Sequence, residues 1–319
     1  MSLRPVFTLT LLLGGVLLLL LTSLSLGSSG WLPPGHWHDP IQQSIVLELR
    51  LPRALAALAV GGLLALAGAL IQALTRNPLA DPYILGISGG AAVGALLAIL
   101  LGLAAWMQQI SAALGAFGAL LLVIALAHGE GAWTRQRLLL TGVVLASALG
   151  AVITLLLALA PETALRGMLF WLMGDLSGAP APWLALSGLG LLALLVLPWA
   201  RDLNILTRGA ASAMSLGINV RALRWGAYLL AAIATALAVM TAGSIGFVGL
   251  LAPHLARLLV GADHRRALPA AILLGASLVM LADLLARTLI APQQLPAGAL
   301  LALIGAPLFL ALLYREGKT

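Results

Sequence analysis

LELRLPRALAALAVGGLLALAGALIQALTRNPLADP, residues 47–82, decides how this chain is read. From Ala54 to Leu74 it is almost continuously apolar, close to the roughly 20 residues that a helix needs to cross a bilayer. Arg50 and Arg53 stand at one mouth of that segment. At the other, Pro78 and Pro82 each disfavour helix at the residue before them, so the chain must break there.

The rest of the sequence extends the pattern. Of 319 residues, 62% are hydrophobic and 8% charged, with a mean hydropathy of +1.10. A soluble domain carries roughly 25% charged residues. This chain cannot clothe itself in polar surface, and it reads as an all-α polytopic membrane protein forming a single transmembrane domain over 1–319. Ten stretches are long and apolar enough to be spans: 6–26, 54–74, 84–103, 110–127, 138–159, 182–200, 225–242, 245–261, 268–290 and 296–314. The first is too long for the 7–15-residue apolar core of a signal peptide and lacks an A-x-A-like cleavage site. An amphipathic stretch, 162–176, suits a membrane interface.

Net charge is +7, which in a soluble chain would point to nucleic acid. Here the distribution explains it, and no nucleic-acid partner is expected. With the N-terminus in the cytoplasm, thirteen of the seventeen Lys and Arg fall on the cytoplasmic side. Only Arg50, Arg53, Arg166 and Arg287 fall outside. That asymmetry is the positive-inside signature and places both termini in the cytoplasm. The chain has no cysteine, so thiolate metal sites, disulfides and cysteine nucleophiles are excluded.

Several stretches carry more than hydrophobicity. In TRNPLADP (75–82), Asp81 before Pro82 reads as an N-cap with proline at the first helical position, while Asn77 and Leu79 are free to line a pore mouth. RDLNILTRGAASAMSLGINVRALRW (201–225) is the longest polar stretch, with Gly209 and Gly217 bracketing a short helix. It reads either as a basic loop on lipid headgroups or as a docking helix for a cytoplasmic partner. In GSIGFVGLLAPHLARLLVGADHRR (243–266), Pro253 cannot donate to Gly249, so a kink is expected. His254 beside it is a weak metal candidate, or else satisfies backbone groups freed at the kink. Gly90 and Gly94 form a G-x-x-x-G suited to tight helix packing. LADLLART (281–288) sets Asp283 four residues before Arg287, the favourable order for a helical ion pair. Hydrolase motifs are missing, and the single lysine, Lys318, cannot serve a G-x-x-x-x-G-K-[ST] loop. If ATP drives this protein, another subunit binds it.

LRLPRALAALAVGGLLALAGALIQALTRNPLADPYILGISGG (49–90), SIGFVGLLAPHLARLLVGADHR (244–265), LADLLART and LPAGALLALIGAPLFLALL (295–313) together resemble the FecCD-type permease subunits of ATP-binding cassette importers for iron-siderophores, haem and vitamin B12. The resemblance runs over nearly the whole chain. It implies the type II importer permease fold, with ten transmembrane helices, an internal pseudo-two-fold and a homodimer. It also implies two copies of an ATPase subunit that uses ATP-Mg, a periplasmic binding protein and a place in the bacterial inner membrane, with no cofactor or metal on this chain itself. Carried over by position, it makes Arg50, Arg53 and Arg287 the docking residues for acidic groups of the binding protein. Asn77, Leu79, Arg135 and Gln136 would form the cytoplasmic gate. The coupling region would be 203–220, through Leu206, Gly209, Ser212, Ala213, Met214, Leu216 and Gly217. The family pattern L-G-x-x-x-A-x-x-L-G, often with an acid after its first glycine, reads here R-G-A-A-S-A-M-S-L-G (208–217). With Ala210 in place of the acid, docking there must rest on apolar packing. Arg135 likewise stands where small hydroxyl residues occur. The readings from other classes are a proton-coupled secondary transporter and an integral membrane enzyme.

Overall fold

The structure, a computed structural model, describes residues 3–37, 39–127, 135–177 and 182–316. They are almost wholly helical. In chain order the helices are α1 (Leu3–Ser25), α2 (Pro40–Thr75), α3 (Ile87–Leu100), α4 (Ala105–Ala127), α5 (Arg135–Leu159) and α6 (Glu162–Met173). There follow α7 (Trp183–Arg208), α8 (Ala210–Ser215), α9 (Val220–Ala242), α10 (Val248–Val260), α11 (His264–Thr288) and α12 (Ala297–Glu316). A two-residue hairpin, β1 (Leu26–Gly27) with β2 (Gly30–Trp31), closes α1. Among the described residues, seven helices are long and apolar enough to cross a membrane, and three shorter apolar ones, in α3, α10 and α12, occupy the remaining expected stretches.

Several boundaries differ from the sequence reading, three of them at functional segments. α2 starts at Pro40 and not near 54, because a π-helical segment, Ile45–Arg50, carries it through Pro52. That proline has no N–H for the ladder, and a wide turn just before it absorbs the defect. Arg50 and Arg53 therefore sit inside a helix. α7 continues past 200 to Arg208, and α11 begins at His264.

α2 is the hub, packed by α7, α9, α10 and α11 and buried along nearly its whole apolar length. Lipid supplies no hydrophobic force between helices, so close packing must hold them. A Cβ added at Gly61 would overlap the Gly275 carbonyl, and one at Gly275 would overlap that of Gly61. The two backbones touch there. Gly90 and Gly94 do the same against Gly115 and Ser111, fastening α3 to α4.

α3 has 14 residues and α10 has 13, about 20 Å each at 1.5 Å per residue, short of the ~30 Å hydrocarbon core. Irregular chain precedes both. Arg76 ends α2 in the left-handed region (φ 48°), Asn77 makes a turn by accepting from the Leu79 N–H at 3.0 Å, and Asp81 caps a short 3-10 turn, Pro82–Leu85. On the other side Phe247 (φ 67°) opens α10. The two irregular segments meet. The Ile245 N–H donates to the Tyr83 hydroxyl at 3.0 Å, and the Ser88 and Ser244 hydroxyls lie 3.0 Å apart. Non-helical backbone survives at membrane depth only when buried in protein with its polar groups paired.

The α2–α11 crossing gives a direct test. Gly61→Leu should force the helices apart at a cost on the order of 3 kcal/mol or more, read as loss of the monodisperse peak in fluorescence-detected gel filtration. Gly14→Leu, where an added Cβ has nothing within 4 Å, should elute as the parent.

Candidate functional site

Three arginines converge at one end of the bundle. Arg50 is buried, and its guanidinium donates to the Leu24 carbonyl (2.9 Å), the Ser29 hydroxyl (3.0 Å) and the Gly30 carbonyl (3.1 Å). It thereby braces the end of α1 and the hairpin. Arg53 donates through Nε to Asp283 Oδ1 at 2.8 Å and through Nη1 to Gln294 Oε1 at 2.6 Å. Arg287 donates through Nη2 to the Ser23 carbonyl at 2.8 Å, with its Nε 3.5 Å from Asp283 Oδ2.

Asp283, 1% exposed, thus stands between two arginines from different helices. The expected Asp283–Arg287 pair is present, but the shorter contact is with Arg53, which the sequence spacing did not reveal. Three guanidiniums against one carboxylate leave a surplus of two positive charges around a cavity of about 210 Å³. Arg50, Arg53, Arg287, Ser29, Ser177 and Gln294 are among its walls. Arg53 Nη2 is buried and makes no hydrogen bond among the described residues. A buried donor without a partner is costly, on the order of 1–3 kcal/mol. The arrangement favours an incoming anion with planar, bidentate geometry, which is to say a carboxylate.

The other end of the bundle carries the polar stretch. Gly209 (φ 141°) and Gly217 (φ 78°) frame α8, which packs on α7. Leu206 and Ala213 are buried and hold α8 in place, whereas Ser212, Met214 and Leu216 face outward, Met214 60% and Leu216 66% exposed. A cavity of about 500 Å³ opens beside them, walled by Trp199, Arg201, Asp202, Leu216 and Asn219. Asn204 ties this end to α11: its amide donates to Asp263 Oδ1 at 2.7 Å, and its oxygen accepts from the His264 N–H at 2.9 Å. The Arg265 backbone N–H and that amide hold the Asp263 carboxyl below the usual carboxylate range.

Of the expected gate residues, the structure describes the side chains of Asn77 and Leu79 only. Asn77 has a structural task in its turn, Leu79 is 42% exposed, and the side chains of Arg135 and Gln136 lie outside the described residues. His254 is buried with its ring edge-on to Phe309, centroids 5.8 Å apart. No group of three potential metal ligands gathers among the described residues. The Gly249 carbonyl released by Pro253 is taken by Gln72 Nε2 at 3.1 Å. Gln72 could have been found: it is the one amide in the apolar run from Ala54 to Leu74, and a lone amide at that depth needs acceptors.

Comparisons with known proteins agree with this architecture. The model of the FecCD transport family matches residues 15–315. The ABC transporter permease protein YvrB of Bacillus subtilis (strain 168), described as uncharacterized, is 41% identical over 290 residues, 88% of this chain and 81% of that protein. The vitamin B12 import system permease protein BtuC of Escherichia coli O157:H7 (strain EC4115 / EHEC) is 39% identical over 310 residues, 95% of this chain and 93% of BtuC. A solved metal-chelate type ABC transporter in an inward-facing conformation superposes with a TM-score of 0.87 at 37% identity, covering 97% of this chain and 98% of that one. PsaBC from Streptococcus pneumoniae shares the fold at a TM-score of 0.57 and 18% identity, over 84% of this chain and 92% of that one.

Removing the carboxylate of Asp283 strands buried Arg287 and part-buried Arg53. Asp283→Ala should destabilise the detergent-solubilised chain by about 3–5 kcal/mol in thermal unfolding, since breaking a buried pair leaves its charge uncompensated. Asp283→Asn, which keeps the shape and one acceptor, should cost less. Parent-like melting of both variants would show that Asp283 does not hold the cluster.

Proposed function

The chain belongs to the FecCD transport family, and we propose that it translocates a bulky metal chelate from a periplasmic binding protein into the cytoplasm as one half of a homodimeric permease. Iron-siderophore, haem and cobalamin are the chelates the family suggests. Cobalamin is the first to test, because BtuC is named for vitamin B12 import and matches nearly end to end. The arginine end faces the periplasm in this reading, as the count of basic residues favours, and both termini are cytoplasmic. Two copies of a separate ATPase dock on the α8 ends, with Met214 and Leu216 as the exposed apolar contacts.

One observation carries the reading. Arg53 and Arg287 are held by Asp283 around a shared cavity, with an Arg53 donor still unpaired. A binding-protein carboxylate that enters it meets pre-oriented donors, so little side-chain entropy is lost on docking. Of the three arginines, Arg53 is the one to change. Arg50 braces α1 and the hairpin, and Arg50→Glu would set a carboxylate against the Leu24 and Gly30 carbonyls, breaking the fold before it tests docking.

Arg53→Gln, in nanodiscs at physiological salt with both partner subunits, should weaken binding-protein affinity by about ten- to a hundred-fold, the worth of one charge-assisted bond. Assembly should be intact. Uptake into vesicles should require ATP, the ATPase and the binding protein together. Uptake driven by a pH gradient alone would favour the secondary-transporter reading, and substrate turnover by the isolated chain the enzyme reading. Unchanged affinity of Arg53→Gln would remove the docking assignment.

A further inference from the structure

Arg166 is the one basic residue of the sparse side that the arginine cluster does not use. It lies on α6, exposed, with its guanidinium 5.7 Å above the Phe170 ring. Phe170 in turn walls a cavity of about 390 Å³ at the same end of the bundle as the arginine cluster, together with Gln108, Gln109, Trp171, Asp175 and Thr241. No Lys or Arg lines that cavity, and Asp175 is its one carboxylate. Each Asp175 oxygen accepts one hydrogen bond from Ser177, through the backbone N–H at 2.9 Å and through the hydroxyl. A carboxylate offers about four lone-pair positions, so acceptor capacity is left over.

A second cavity, of about 330 Å³, runs between α4 and α9, walled by Ile110, Leu114, Phe117, Ile233, Ala236 and Leu237 among others, all apolar. Met240 lines both cavities. The polar chamber beside Gln108 and Gln109 therefore continues into a dry groove along α4 from Ile110 to Phe117, about 10 Å of helix. Ile110, Leu114 and Phe117 are about half exposed or more, so the groove opens on the side of the bundle and not into its core. α4 and α9 both have the length and apolarity of membrane-crossing helices, which puts the groove at hydrocarbon depth.

A carboxylate lines a polar chamber, a cation stacks on its Phe170 wall, and an apolar groove adjoins it, and one molecule carries parts to match all three. We propose that this composite site binds a phospholipid with a zwitterionic, primary-amine headgroup, phosphatidylethanolamine. Its ammonium faces Asp175, its phosphate lies toward Arg166, and one acyl chain fills the α4–α9 groove. The ammonium brings three donors to the spare acceptor sites of Asp175. Phosphatidylglycerol, equal in tail and in the phosphate that meets Arg166, leaves Asp175 facing a diol in place of an ammonium. The site adjoins the arginine cavity through Ser177, which binds Asp175 and walls that cavity, and it does not depend on the transport reading.

The test uses the full-length chain, purified in mild detergent and titrated with phosphatidylethanolamine or phosphatidylglycerol of identical acyl chains, with retained lipid counted by native mass spectrometry. One phosphatidylethanolamine per chain should survive, at least about tenfold more strongly held than phosphatidylglycerol. Asp175→Asn should bring the two lipids within about threefold of each other, and Arg166→Gln should weaken both. Ala236→Trp should fill the groove and displace both. Equal retention of the two lipids by the parent, or a preference that survives Asp175→Asn, would overturn the proposal. The parent's lipid preference is read without any variant, so misfolding of Ala236→Trp does not decide the outcome.

Discussion

The fold hangs on a backbone-to-backbone contact, the crossing of α2 and α11 at Gly61 and Gly275. Hydrophobic burial cannot choose between helix faces when the solvent is itself hydrocarbon. Steric fit chooses instead, and two glycines allow an approach that any side chain would block. That crossing also sets the register above it. Arg53 lies eight residues before Gly61, and Asp283 eight residues after Gly275. In antiparallel helices those positions stand at the same height, and there the 2.8 Å ion pair forms. A one-residue slip at the glycines would rotate Asp283 away from Arg53 and leave charges buried without partners, which costs several kcal/mol. Packing specifies the electrostatics, and the electrostatics then penalise any other packing.

The same logic governs the two broken helices. Leaving the helical path inside a membrane exposes carbonyl and N–H groups that water cannot reach, so each break must bring its own partners. Here the breaks partner each other: Tyr83 from one receives the Ile245 N–H from the other, and the Pro82 ring fits against Gly249, the residue whose carbonyl Pro253 has freed. Gln72, one turn past the Gly68 contact with that same residue, supplies the missing donor. Each irregularity is tolerated because the opposite one completes it.

Those dependencies mark the limit of what the sequence discloses. Seven long apolar helices, the α8 helix between Gly209 and Gly217, the Asp81 cap and the Asp283–Arg287 pair were all legible, because each follows from composition or from spacing along one segment. The Arg53–Asp283 pair joins residues 230 apart in sequence, and the Gln72–Gly249 bond joins residues 177 apart. No local pattern encodes such distances. Helix boundaries failed for a related reason. α2 starts at Pro40 because a π-turn before Pro52 is cheap once Arg50 is anchored to α1 and the hairpin. Arg50 and Arg53 stand in the sequence at the mouth of an apolar run, and only the fold adds their bracing contacts, Arg50 to α1 and the hairpin and Arg53 to Asp283.

The geometry also constrains how the two ends can communicate. α11 is a single helix from His264 to Thr288, so the residue bound to Asn204 and the arginine bound to Asp283 ride on one rod, about 35 Å apart. Coupling between sites needs an element with two discrete arrangements that both ends bias. A rod fixed at mid-length to α2 by a backbone contact cannot slide along it. It can tilt about that contact, and a tilt that moves His264 away from α7 moves Arg287 the opposite way. Any such motion turns about Gly61 and Gly275, the same contact that sets the register of the bundle.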